Sequence, residues 1–88
     1  MMKAKDGFVL RKTVGEYMLM PTGENTGGCM LLNRVSAFIW ERLRQAPASR
    51  GELLAAVLDK YAVDEATAAA DLDALLARFD QLGMLENE

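Results

Sequence analysis

Chemistry in this chain would have to come from very few side chains. There is no histidine and a single cysteine, Cys29. Without histidine the chain lacks both the commonest general base and an imidazole metal ligand. One cysteine cannot build a zinc or iron–sulfur site. Inside the apolar run Gly28-Cys-Met-Leu-Leu32, Cys29 reads as a small buried hydrophobe. The stretch Gly23-Glu-Asn-Thr-Gly-Gly28 is rich in glycine but lacks both a Lys-Ser/Thr ending and the G-x-G-x-x-G spacing, so it is a loop and not a phosphate cradle. Asp71 and Asp73 are two positions apart and diverge on a helix; with Asp80 and Arg78 they read as a solvated face. Ser36 has none of the Asp-Ser-Leu setting of a carrier protein's attachment serine. The expectation is a protein with no catalytic residues, no metal and no cofactor.

Composition narrows the classes further. Eighty-eight residues allow one domain, taken as 1–88 with 1–6 and 86–88 expected to be loose. A chain of this size buries only about 60–65% of its unfolded surface, which leaves a thin core and favours binding over a deep catalytic cleft. The net charge is −3, and the ten basic residues are scattered from Lys3 to Arg78. That argues against a nucleic-acid partner, which would gather Lys and Arg on one face. No apolar run approaches the roughly 20 residues of a membrane span, and no apolar segment follows Lys5 as in a secretory signal. No membrane partner is expected, and a reducing cytoplasm is the default location. Six methionines are many for this length; Met18, Met20 and Met30 could line an adaptable apolar surface or simply fill the core.

The elements that must position any site follow from periodicity. Gly7-Phe-Val-Leu-Arg-Lys12 reads as a strand with Phe8 and Leu10 inward, Thr13-Val14-Gly15 turns the chain, and Glu16-Tyr-Met-Leu-Met20 follows as a second strand ended by Pro21. Gly28 to Leu32 makes a third. Strands two and three are apolar at nearly every position. Either one sheet face packs on helices while the other face or an edge is covered by something outside the chain, or the core is two-sided. Asn33 is an N-cap for a helix reaching about Gln45, with Val35, Ile39 and Leu43 as its stripe, flanked by Phe38 and Trp40. Trp40 is core on this pattern, with a surface hot spot as the minor alternative. Pro47 breaks the helix, and Ser49-Arg-Gly-Glu52 is a capping box for a second. Asp64 caps a third helix, whose apolar face is Leu72, Leu75, Leu76, Phe79 and Leu82, and Gly83 ends it. The fold class is α+β: three antiparallel strands, then three helices.

The order Gly7-Phe-Val-Leu-Arg11, Glu16-Tyr-Met-Leu-Met-Pro21, Leu32-Asn33 with Ala37-Phe-Ile-Trp-Glu41, Tyr61-Ala-Val-Asp64, Asp71-Leu72 and Leu82-Gly-Met-Leu85 resembles the PqqD-like family, also known as the RiPP recognition element. The likeness spans about residues 7–86. Arg34-Val35-Ser36 departs from the Glu-Thr-Gly that relatives often carry there, and leaves the cap intact. The resemblance implies a winged helix-turn-helix-like fold and a non-catalytic role: binding the leader segment of a ribosomally made precursor peptide and presenting it to a modifying enzyme, frequently a radical S-adenosylmethionine enzyme. It implies that the leader adds as a strand beside Gly28, Cys29, Met30, Leu31 and Leu32 and lies against Ala69, Leu72, Leu76 and Phe79 of the third helix. By the same resemblance Met30 and Leu32 point inward and Cys29 and Leu31 outward; a one-residue register shift would swap the pairs. An exposed strand edge invites such addition on physical grounds alone. Two other classes compete. One is a structural, homodimerising domain with no peptide client, so that monomer and homodimer both stay open. The other is a winged-helix DNA binder, which the acidic third helix disfavours.

Overall fold

The computed structural model describes residues 1–22 and 29–87. The elements run β1 (Met2–Ala4), β2 (Phe8–Thr13), β3 (Glu16–Pro21), β4 (Met30–Leu32), α1 (Arg34–Gln45), α2 (Arg50–Lys60), α3 (Glu65–Gln81) and β5 (Leu85–Asn87). β2, β3 and β4 form an antiparallel sheet in that order, and β1 and β5 pair separately. The expected three strands and three helices are therefore present, in an α+β arrangement. None of the helices is long and apolar enough to cross a membrane, among the described residues.

The β2–β3 hairpin turns through Val14-Gly15, where Gly15 takes φ +80°, a conformation that a residue without Cβ adopts freely. Register then sorts the side chains. Leu10, Leu19 and Met30 form one cross-sheet row, and Arg11, Met18 and Leu31 another. The first row faces the helices, with Leu19 and Met30 buried, while Leu31 on the second is 60% exposed. The sheet is thus one-sided. Its outer face carries Val9 and Leu31 exposed and Met18 and Met20 half-buried, and the two-sided core is excluded.

Each helix starts on a local signal. Asn33 Oδ1 accepts from the Ser36 amide at 2.8 Å. Ser49 Oγ accepts from the Glu52 amide at 3.2 Å while Glu52 Oε1 accepts from the Ser49 amide at 2.9 Å, a reciprocal capping box. Asp64 accepts from the Thr67 amide at 3.1 Å. α3 ends in a Schellman turn: Gly83 at φ +69° donates to the Asp80 carbonyl at 3.1 Å, and Met84 to the Phe79 carbonyl at 2.8 Å.

That turn aims the chain back at its own beginning. Met84 is fully buried, Lys5 donates to the Met84 carbonyl at 2.9 Å, and β5 pairs with β1 in the register Met2↔Asn87, Lys3↔Glu86, Ala4↔Leu85. Met2 also exchanges two backbone bonds with Ala48 between α1 and α2, at 2.9 and 2.8 Å. The termini, expected to be loose, are a paired ribbon tied to the helices; Glu88 lies outside the described residues.

Trp40, Phe79 and Leu19 have no solvent exposure. The Trp40 indole meets the Phe8 ring edge-on at 6.1 Å and the Phe79 ring at 5.3 Å, so one side chain of α1 binds β2 and α3 together. Its Nε1 finds no hydrogen-bond acceptor among the described residues, a penalty accepted in exchange for ring burial. The buried stripe of α1 is Ala37, Ile39, Trp40 and Leu43. Val35, expected inward, is only half-buried because the stripe rotates towards Trp40.

Trp40→Ala should destabilise the domain by about 3–5 kcal/mol, against a total of about 5–10 kcal/mol for a chain of this size. Chemical denaturation should show it largely unfolded; a melting point within a few degrees of wild type would place Trp40 outside the core. Two glycines should respond with opposite sign. Gly83→Ala forces Cβ into the left-handed region and should cost about 1–2 kcal/mol. Gly51→Ala, where a Cβ would meet only Ser49 Oγ at 3.9 Å on α2, should stabilise by about 0.4–1 kcal/mol. Paired melting curves check both.

Candidate functional site

The sheet has two outer strands, β2 and β4. In an antiparallel ladder half of an outer strand's N–H and C=O groups face away from its neighbour. β4 is bonded to β3 only, and no other described backbone group reaches Met30–Leu32. The N-terminal strand β1 pairs with β5 and not with β2, so β2 also ends the sheet. The two edges differ in chemistry. β2 carries Arg11 and Lys12, charges that discourage pairing with another strand. β4 is Met-Leu-Leu with no charge at all.

Asn33, the residue that follows β4, lines a hollow of about 330 Å³. The rest of its lining is Val35, Ser36 and Ile39 of α1, Val57 of α2, Val63, and Thr67, Asp71, Ala74 and Leu75 of α3 among others. Its lining is mainly apolar, and Asp71 is its single charged residue among those described. Which flank of α3 faces this hollow follows from one tether. Arg50 at the start of α2 grips Asp73 with two parallel bonds, Nε to Oδ1 and Nη2 to Oδ2, the second at 3.0 Å. The pair is exposed and adds little stability. It nevertheless shows that the Ala69–Asp73–Leu76 flank of α3 turns towards α2. The Asp73 carboxyl is held below the usual carboxylate range, first by the hydrogen bond from Arg50. At 3.6 residues per turn, Thr67, Asp71 and Ala74 then fall on the opposite flank, where the hollow is.

The sequence-predicted residues are therefore divided. Met30 and Leu32 are buried, with Leu31 exposed. Cys29, taken as a buried hydrophobe, is exposed, because it shares the outward parity of Leu31 just ahead of β4. Gly28 lies outside the described residues. Leu72 is 2% exposed and reaches the floor of the hollow from the core. Phe79 is fully buried against Trp40. Ala69 and Leu76 are half-buried on the α2 side, and neither lines the hollow. Asn33, Val35, Ser36, Thr67, Asp71 and Ala74 were missed as lining. The i, i+4, i+7 series Thr67, Asp71, Ala74, small and uncharged but for one carboxylate, was the available signal. Among the described residues no three His, Cys, Asp or Glu side chains converge as a metal site requires.

No curated protein sequence matches the chain. Among solved structures, TbiB1 in complex with the TbiA(beta) leader peptide is similar over 98% of this chain and 96% of its own, at a TM-score of 0.75 and 27% identity. A lasso peptide synthetase B1 complexed with the leader peptide matches 98% of both chains at a TM-score of 0.73 and 21% identity, a likeness of fold. The family model of coenzyme PQQ synthesis protein D (PqqD) matches residues 16–85, which contain β3, β4, all three helices and the whole lining of the hollow. The chain belongs to the PqqD family.

Proposed function

We propose that this protein is a non-catalytic peptide chaperone, which captures the leader segment of a ribosomally made precursor and presents it to a modifying enzyme in the cytoplasm. The observation that carries this is the uncharged free edge of β4, followed directly by Asn33, which lines the hollow. Membership of the PqqD family and the likeness to a protein described in complex with a leader peptide support it. The family resemblance points to a radical S-adenosylmethionine enzyme as the recipient.

Each half of the site has a separate physical task. The outward N–H and C=O groups of β4 supply hydrogen bonds to any extended backbone, whatever its sequence. Choice of peptide comes from side chains, which alternate along a strand and enter the hollow every second residue. Small residues at Ala68 and Ala74 leave room for a large apolar anchor. Asp71 at the rim favours a basic residue beside that anchor and disfavours an acidic one. The exposed face of α3 carries Glu65, Asp71, Asp73 and Asp80 against Arg78, a field that repels DNA phosphates.

Titration with a candidate leader peptide should shift the amides of Cys29–Ser36 and Thr67–Leu75 and leave Phe8–Lys12 in place. Dissociation constants should be micromolar or lower, about −8 kcal/mol or better, and should change little with salt because the contact is backbone and apolar. Shifts confined to β2 would refute the site. Leu72 is too deeply buried for a charge probe, since Leu72→Glu would unfold the domain. Ala74→Trp, at an exposed helical position on the rim, should leave the melting point within a few degrees and weaken leader binding at least about tenfold, roughly 1.4 kcal/mol. Sedimentation without leader should show a monomer; dimerisation through β4 that leader fails to disperse would favour a structural role. Protein purified without chelator should carry no stoichiometric zinc or iron and should leave the leader covalently unchanged by mass spectrometry.

A further inference from the structure

A second concave surface lies on the other side of α1 and takes no part in the leader site. It is an open hollow of about 580 Å³ between the β2–β3 hairpin, α1 and the end of α2. Its floor is aromatic: Phe38 and Tyr61 meet edge-on at 5.7 Å, with Tyr17 and Leu10 alongside. Its rim is basic. Lys60 Nζ stands 4.6 Å from the Phe38 ring centre and 5.8 Å from that of Tyr61, and Arg34 lines the α1 side. Arg34 and Lys60 line the hollow with a single carboxylate, Glu41, on a chain whose net charge is −3. Neither of these two cations is ion-paired among the described residues.

We propose that this hollow docks an acidic segment of a partner protein, one that places an aromatic or leucine side chain on Phe38 and Tyr61 and a carboxylate between Arg34 and Lys60. Charge complementarity selects the occupant: a local excess of cations on an acidic protein attracts acidic chains and repels basic ones. The aromatic floor supplies the apolar anchor that interfaces concentrate at their centres. Position supplies the use. Arg34, Phe38 and Glu41 lie about 150° around α1 from Val35, Ser36 and Ile39, which line the leader hollow, so both surfaces can be filled at once. A protein that presents one chain to another needs two such faces. The proposal is independent of leader capture at β4, and its test needs no leader.

The probe is an acetylated, amidated peptide, Asp-Glu-Phe-Leu-Asp-Glu, compared with Lys-Lys-Phe-Leu-Lys-Lys, in NMR titrations of the full chain. The acidic peptide should shift Arg34, Phe38, Lys60 and Tyr61 and leave Met30–Leu32 unmoved. Its binding should fall about fivefold or more in Arg34→Glu, a change that suits the first turn of α1, and again in Lys60→Gln. It should weaken several-fold, on the order of threefold, between low salt and 0.3 M salt. If one variant fails to fold, the other and the salt series carry the test. Equal shifts by the lysine peptide, shifts at β4 in place of the hollow, or unchanged affinity in the folded variant would overturn the proposal.

Discussion

The fold hangs on one side chain. Trp40 projects from α1 between the rings of Phe8 and Phe79, and through them joins the sheet to the last helix. In a domain this small there is no second core to take over, because surface area grows relative to buried volume as chains shorten. The hollow beneath α3 is positioned from this contact. α3 presents the Thr67–Asp71–Ala74 flank to the hollow because its other side is pinned, by Phe79 to Trp40 and by Asp73 to Arg50.

The corner at Asn33 joins the sheet edge to the hollow. A strand must end and a helix must begin within one residue, and the Asn33 side chain makes this possible by accepting the Ser36 amide. β4 consequently leads into Asn33, which lines the hollow, without an intervening loop. A free strand edge alone would accept any extended chain, including another copy of itself. Joining the edge to a shaped apolar hollow adds choice to affinity, while β2, the other outer strand, keeps Arg11 and Lys12.

The local signals were legible in the sequence. Asn33, Ser49 with Glu52, Asp64 and Gly83 each act within four residues of themselves, and each ends or starts a helix where its chemistry says it should. The inward and outward parity of Met30 to Leu32 was carried by the family resemblance, and the structure has the same parity. What could not be read depended on distant partners. β1 and β5 are three residues each, too short for a periodic pattern, and Met2 finds Asn87 only after the whole domain has folded. The rotation of α3 is of the same kind. Periodicity locates its buried stripe, but the choice between the Ala69–Leu76 flank and the Thr67–Ala74 flank rests on Arg50 meeting Asp73, 23 positions away. Cys29 looked buried because its neighbours are apolar, while parity with Leu31 turned it outward.

The ribbon of β1 and β5 has a consequence for architecture. Because Met2 lies opposite Asn87, the chain enters and leaves the domain at the same place, through antiparallel strands about 5 Å apart. The ribbon is tied at Met2 to Ala48 between α1 and α2. A module with adjoining ends can be spliced into a surface loop of a larger protein, or appended to either terminus, without stretching its host or itself. The same recognition surface is thereby portable, as compatible with life as a tethered domain of an enzyme as with life as a separate chain.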